Sequence, residues 1–480
     1  MIQYIQGALI IGLSVFVSAL VLLAFLAPNV LMTNRIATTL WGKFESKAEV
    51  RKFAFLALVF FFIIGIYWAM RPLKDSIFDT MVGIKKYQPW AKILSLFFIV
   101  PLIIFYNKLI DKFSRNKLFY VLTAGYGVVA LLFMLAFISP IGLSNTVQSP
   151  YRIVGWLWYI YIESFGSLIV ALFWAYTSDI TKPGAAKRGF PIIALLGQMG
   201  NILGPWALKA KRLGFASSSP IVGLLALLMF FVGFLLWIFV RTTPKEEMVG
   251  FEAAEQEKIK EKTEHKKEPG FLDGLKLLLS HGYLLGIACI IIFYEIIVTI
   301  LDYFFKSSVA ATYSAEIEKS AYLGEYAVWT GIVATLCVLL GVNNIQRKLG
   351  MKVSLVLMPL IVAAAVITLW VSPILGVAFW IMVFSKAVNY ALNQPTLKQA
   401  YIPTTKESKY KAQSWIEMFG GRSSKAIGSG VNIFGGLWSP AAYAILSTTL
   451  SLGLVGVWVF VAIFVAKTYT KAIKENKVVC

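Results

Sequence analysis

Thirteen apolar runs, each long enough to cross a lipid bilayer, follow one another along this chain of 480 residues. They lie near 5–27, 52–70, 91–108, 118–139, 153–177, 190–208, 220–240, 283–303, 322–343, 353–371, 374–393, 411–436 and 440–466. A chain so patterned has one stable solution, because hydrocarbon offers no water to unpaired backbone N–H and C=O groups. Segments of about 20 residues must close their hydrogen bonds internally, as helices. The run 411–436 is the most polar and reads as a broken helix. At 58% hydrophobic and 14% charged residues, the sequence lies outside the range of ordinary soluble enzymes.

The loops carry the orientation signal. Arg35, Lys43, Lys47 and Arg51 follow the first run, Lys112, Arg115 and Lys117 the third, and Lys182, Lys187 and Arg188 the fifth. Arg347, Lys348 and Lys352 come next, then Lys398, Lys406, Lys409 and Lys411, and finally Lys467, Lys471, Lys474 and Lys477. The alternate loops 140–151 and 372–373 are short or nearly uncharged, although Lys209, Lys211 and Arg212 break the pattern. Positive charge of this kind marks cytoplasmic loops. It also accounts for the net charge of +21 without nucleic acid, which is not an expected partner.

The fold class that follows is an all-α membrane protein. Twelve transmembrane helices form two six-helix halves of major-facilitator type, plus one extra N-terminal helix. The expected division is 1–48 for the extra helix and its linker, 49–241 and 279–480 for the two halves, and 242–278 for a charged cytoplasmic linker. Within that linker, Glu252, Glu255, Glu257, Lys258, Lys260, Glu261 and Lys262 read as a solvated helix or connector. Both ends of the twelve-helix core fall in the cytoplasm. The first run has small residues at Ala24 and Ala27, as a signal peptide would. No Lys or Arg precedes it, so an additional helix that places Met1 outside is the preferred reading.

Five charges stand inside or at the mouths of the apolar runs: Lys74, Glu163, Asp302, Lys386 and Lys425. A charge at the bilayer centre costs about 2.5–3.5 kcal/mol on insertion scales, so such residues face a cavity, a partner or a transported solute. Arg71 stands three residues before Lys74, and Arg422 three before Lys425, a spacing that puts each pair on one helix face. Two cationic pairs from opposite halves fit a polyphosphate; the alternative for Arg71 and Arg422 is snorkelling at span ends. Glu163 needs a cation or a proton. Pairing with Lys74 or Lys425 in an empty site is the preferred role, and proton coupling the rival. Asp302, near the outer end of its run, is either functional or hydrated, and Glu295, seven residues earlier, is a second acidic candidate.

Other chemistries find little support. His265 and His281 are too few for a metal or triad site, and Cys289, Cys337 and Cys480 show no framework spacing. Gly197, Gly200 and Gly204 have helix-packing spacing. Neither they nor Gly420 to Lys425 form a phosphate-binding P-loop, so ATP hydrolysis is not expected. No cofactor is expected either. Trp156, Trp158, Tyr159 and Tyr161 crowd the fifth run, where stacking on a base competes with ordinary packing.

Three stretches together carry a resemblance. They are Trp68-Ala-Met-Arg71-Pro-Leu-Lys74-Asp75, Tyr161-Ile-Glu163-Ser-Phe-Gly166 with Trp174 beyond, and Gln394-Pro-Thr-Leu-Lys-Gln-Ala-Tyr401-Ile-Pro403 followed by Ile416 to Lys425. In this order the chain, from about Phe44 to Ala466, resembles the nucleotide transporter family, the ATP/ADP translocases of intracellular bacteria and plastids. The resemblance implies an antiporter that takes up ATP and releases ADP by alternating access; the expected setting is a monomer in the inner membrane of an intracellular bacterium. Proton-coupled net uptake of nucleotides is the alternative. It also implies transport roles for a lysine in the first core helix, a glutamate in the fourth, an acid in the seventh and a lysine in the eleventh. Lys74, Glu163, Asp302 and Lys425 take those places. Asp302 replaces the family's usual glutamate, Phe305 its usual tryptophan, and Ala426-Ile427 interrupts the small-residue run after the lysine. Lys386 lies outside the family's positions.

Overall fold

The computed structural model describes residues 2–35, 38, 43–248, 271–339, 344–405, 415–416, 420–475 and 477–479, and among them there is no strand. The linker charges Glu252 to Lys262 and the loop lysines Lys406, Lys409 and Lys411 lie outside the described residues. The helices are α1 (Ile2–Leu26), α2 (Pro28–Thr33), α3 (Lys47–Met81), α4 (Ile84–Lys112), α5 (Arg115–Ile138), α6 (Ile153–Asp179), α7 (Pro183–Ala207) and α8 (Ser219–Thr242). After them come α9 (Phe271–Ser280), α10 (Gly282–Thr312), α11 (Glu316–Leu339), α12 (Asn344–Val371), α13 (Leu375–Ala400), α14 (Gly421–Leu437) and α15 (Pro440–Glu475).

Eleven of these helices are long and apolar enough to cross a membrane. The two remaining runs fall on α7 and α14, which fail for different reasons. Gln198, Asn201 and two internal prolines, Pro191 and Pro205, dilute α7, while α14 has only 17 described residues. The helices also outrun the apolar windows. α3 has 35 residues, roughly 52 Å at 1.5 Å per residue, so it extends well beyond a hydrocarbon core of about 30 Å. Its start is set by Ser46, whose Oγ accepts from the Glu49 N–H at 2.9 Å, while the Glu49 carboxylate accepts from the Glu45 N–H at 2.7 Å. The first of these bonds satisfies a donor that a helix start otherwise leaves open, and the second ties the preceding residue to the first turn.

The chain divides into two compact units. The first contains Met1–Val82, Ile99–Lys266 and Ala315–Val328, and the second Gly83–Phe98, Lys267–Ser314 and Trp329–Cys480. Each is thus one half of the sequence plus a short stretch of the other. In the first, α3 is the central element and packs on α6, α7 and α8, with α5 against α8 and α1 against α3 and α7. In the second, α10 packs on α13, α14 and α15, and α12 closes against α13 and α15.

Glycines explain why α7 tolerates its low hydropathy. Gly200 and Gly204 press on α3 so closely that a methyl group at either would collide with the Phe61 or Gly65 carbonyl. Gly65 itself faces Gly200 and Gly204, which makes a small-residue seam from both sides. Gly200→Leu is therefore expected to lower the thermal midpoint of the purified protein in detergent, by overpacking worth about 1–3 kcal/mol or more. An unchanged midpoint would show that the seam yields without cost.

Candidate functional site

Two centres of buried charge stand out, one in each unit. In the first, α3 runs unbroken through Pro72, so Arg71 and Lys74 share a face. Lys74 Nζ makes an ion pair with Glu163 Oε1 on α6. The same ammonium lies 4.4 Å from the ring centroid of Tyr159, one helical turn before Glu163. The ring face is electron-rich and holds a cation where water is scarce. Tyr159 is itself fully buried and packs edge-on to Phe78. Lys74 is 6% exposed and Glu163 34%, so the acid is the open side of the pair. Arg71 stacks on Trp68 at 4.6 Å, with Tyr67 at 5.8 Å.

In the second unit three lysines share one carboxylate. Asp302 Oδ2 accepts from Lys306 at 2.8 Å and from Lys92 at 3.2 Å, and Oδ1 lies 3.5 Å from Lys386. None of the four side chains is more than 14% exposed. A hydrated Asp302 is thereby corrected. The apolar window ends near 303, but α10 continues to Thr312, so the aspartate sits in the helix body and not at a wet end. Lys386 joins this cluster just before a wide π-turn at Asn389–Asn393. Pro395 follows that turn and has no N–H for the Ala391 carbonyl, which is one reason for the local widening.

Lys425 makes a separate and weaker contact, 3.7 Å from Glu295 Oε2, with its side chain 54% exposed. Arg422, half-buried, lies one turn earlier, at the start of α14. Close approach between α14 and α10 occurs one position beyond the altered Ala426-Ile427. At Gly428 an added methyl would stand 2.8 Å from the Ile296 carbonyl oxygen. Asn432 then donates to the Thr299 carbonyl at 3.2 Å and accepts from Tyr443 at 2.8 Å, fixing the register of the two helices.

Several buried polar contacts involve residues that sequence reasoning passed over. Lys319 pairs with Asp79, both essentially buried. Glu316 accepts from Ser76 Oγ and Ser218 Oγ, each at 2.8 Å. Glu325 binds Lys209 and accepts from Gln6 of α1 at 2.6 Å. Burial pushes the Lys209 ammonium below its ordinary range, and the Glu325 carboxylate only partly offsets this. At the opposite end of α3, Arg188 bridges Glu45 and Glu49 at 2.7 and 2.8 Å. There Lys52 caps the carbonyls of Ile180 and Glu247, each at 2.6 Å. The signal for Lys306 was its i+4 position after Asp302. Lys92, Asp79 and Lys319 sit near the edges of runs, where a lysine or aspartate looks like an ordinary interfacial residue.

Residues 32–376 match the family described as TLC ATP/ADP transporter. ADP,ATP carrier protein 4 of Rickettsia conorii is 27% identical, over 79% of this chain and 83% of its own length. ADP,ATP carrier protein 1 of Rickettsia prowazekii is 26% identical, over 89% of this chain and 95% of its own. The chloroplastic ADP,ATP carrier protein 2 of Arabidopsis thaliana is 25% identical, over 86% and 74%. Among solved structures, a peptide transporter POT in complex with sulfate superposes with a TM-score of 0.57 at 14% identity, covering 87% of this chain and 95% of that one. A bacterial homologue of the iron transporter ferroportin, in an inward-facing state, gives 0.57 at 15% identity, covering 87% and 99%. These two likenesses speak for the transporter fold alone.

Proposed function

The chain belongs to the TLC ATP/ADP transporter family, and we propose that it exchanges external ATP for internal ADP across a membrane by alternating access. The observation that carries this reading is the Lys74–Glu163 pair, a buried cation held by an acid that is itself one-third exposed. An incoming phosphate offers the lysine a stronger, multiply charged partner. Glu163 is then released, and occupancy is converted into a change of contacts between α3 and α6. Arg71 stands one turn from Lys74 and extends the cationic face. Arg422 and Lys425 form the second cationic pair, with Glu295 as the placeholder for Lys425. Asp302 and Lys386 belong to the same pathway. The relatives' names, ADP,ATP carriers, support exchange, and no observation favours proton-coupled net uptake.

The working unit is a monomer in the inner membrane of an intracellular bacterium, with both ends of the helical core in the cytoplasm and Met1 outside. If ATP enters as roughly a tetra-anion and ADP leaves as roughly a tri-anion, each turnover moves about one net negative charge. A potential of about 100 mV then weighs about 2.3 kcal/mol on the cycle. The test is uptake of labelled ATP into proteoliposomes loaded with ADP or with buffer, with and without a pH gradient. Uptake is expected only with internal ADP, unchanged by the pH gradient and slowed by an inside-negative potential. Uptake into empty vesicles that follows the proton gradient would replace exchange with net import.

A further inference from the structure

We propose that a narrow crevice in the first unit, between α1, α2, α3 and α7, binds an anionic phospholipid. One acyl chain enters the crevice, and the headgroup phosphate rests among basic residues at its mouth. Leu20 and Ala24 of α1, Leu31 of α2, Phe44, Val50 of α3 and Leu196 of α7 line it, and every lining side chain is apolar. α1 meets the body along one stripe. Gln6, Ile10, Val17, Leu20 and Ala24 are buried, whereas Ile11, Val15, Phe16 and Leu22 of the same helix are exposed. The crevice lies beside the last two turns of that stripe. An apolar gap between helices forfeits contacts with neighbouring atoms. A bilayer supplies the hydrocarbon that restores them.

Charge decides which lipid. Lys43 precedes the lining residue Phe44, Arg51 follows Val50, Lys47 stands one turn before Val50 on the same face of α3, and Arg35 lies four residues beyond Leu31. All of these cations are exposed. Arg51 Nη2 donates to the Phe25 carbonyl at 3.4 Å, so its guanidinium leans across the seam between α3 and α1. The acids of this region are engaged elsewhere. Arg188 holds Glu45 and Glu49 at 2.7 and 2.8 Å, and Glu247 accepts from Ser46 Oγ at 2.9 Å. The mouth is therefore left with an excess of positive charge. Lysine and arginine hold a phosphate through charge-assisted hydrogen bonds. A zwitterionic headgroup brings its own cation and gains less, and a nucleotide brings no hydrocarbon for the apolar lining. The orientation proposed above sets this end of α1 in the cytoplasmic leaflet, where basic clusters beside membrane helices meet anionic lipids. A lipid seated here ties α1 and α2 to α3 and α7.

Native mass spectrometry of the full-length protein in detergent reads the dissociation constant of the tightest-bound lipid. Dioleoyl phosphatidylglycerol is compared with dioleoyl phosphatidylcholine. Each Lys or Arg beside an anionic headgroup is worth roughly fivefold in binding. The parent chain is expected to hold phosphatidylglycerol at least ~10-fold more tightly, and Lys47→Gln/Arg51→Gln to bring the two lipids level. Ala24→Phe fills the crevice and keeps every cation, so it separates this site from general attraction to a basic surface. It is expected to weaken phosphatidylglycerol binding by at least ~10-fold as well. Equal binding of the two lipids by the parent chain overturns the proposal. So does a preference that survives either variant, which would place the anionic lipid on another basic face. If Lys47→Gln/Arg51→Gln does not fold, Arg35→Gln/Lys43→Gln is read in its place, and Leu196→Phe stands in for Ala24→Phe in the same way. None of these readings depends on ATP/ADP exchange, so failure of the antiport reading and failure of the lipid site are told apart.

Discussion

Lys74→Ala is expected to reduce ATP/ADP exchange by about two to three orders of magnitude. Breaking a buried ion pair from one side typically costs about 3–5 kcal/mol, because the remaining charge is left without its partner. Here that charge is Glu163, and the substitution also removes the cation lying against Tyr159. A structural role and a phosphate-binding role make different predictions for the double variant. With Lys74→Ala/Glu163→Ala neither charge of the pair remains, so the thermal midpoint in detergent should recover most of the loss. Exchange should not recover, since no lysine is left to receive the phosphate. If exchange returned together with stability, Lys74 would be a strut for α3 and α6 and nothing more. Lys74→Arg completes the series: it keeps the charge, but its planar fork does not reproduce the compact ammonium over the Tyr159 ring.

What the sequence could reveal about this site depended on how far a signal reached. Lys74, Glu163 and Lys386 were visible because each interrupts an apolar run, and a charge there must have a reason. The pairing of Lys74 with Glu163 was one of the partnerships open to Glu163; which lysine takes it depends on helix neighbours that a linear pattern does not contain. Asp302 looks close to a wet end in the sequence because hydropathy windows mark the apolar centre of a helix and not its limits. α10 extends to Thr312 and α3 from Lys47 to Met81, each well past its window. Lys92 was hidden altogether. It meets Asp302 across 210 residues of chain, and alone it looks like a snorkelling lysine. Asp79 and Lys319 were missed for the same reason, with 240 residues between them. The small-residue spacing of Gly200 and Gly204 was legible because close helix approach excludes a Cβ, whatever the partner helix is.

Asp302→Asn is expected to be at least as damaging as loss of Lys74, and to act first on the folded state. The substitution keeps shape and volume but removes the carboxylate that Lys92, Lys306 and Lys386 share. Like charges about 4 Å apart repel by about 4 kcal/mol at an effective dielectric constant near 20, so three ammoniums around a neutral amide cannot all remain in place. The expected result is a sharply lower yield of folded protein, or exchange reduced by about 100-fold or more in what does fold. Removing one cation as well should relieve part of this. Asp302→Asn/Lys386→Met is expected to regain thermal stability relative to Asp302→Asn alone, while exchange stays low. Asp302→Glu tests the geometry, since the family's usual acid reaches one methylene further. It should preserve the fold and alter the apparent affinity for nucleotide. A thermal midpoint for Asp302→Asn equal to that of the parent chain would mean that the three lysines do not depend on this carboxylate. The charge centre of the second unit would then have to be sought around Glu295 and Lys425, where the exposed lysine leaves more room for an anion.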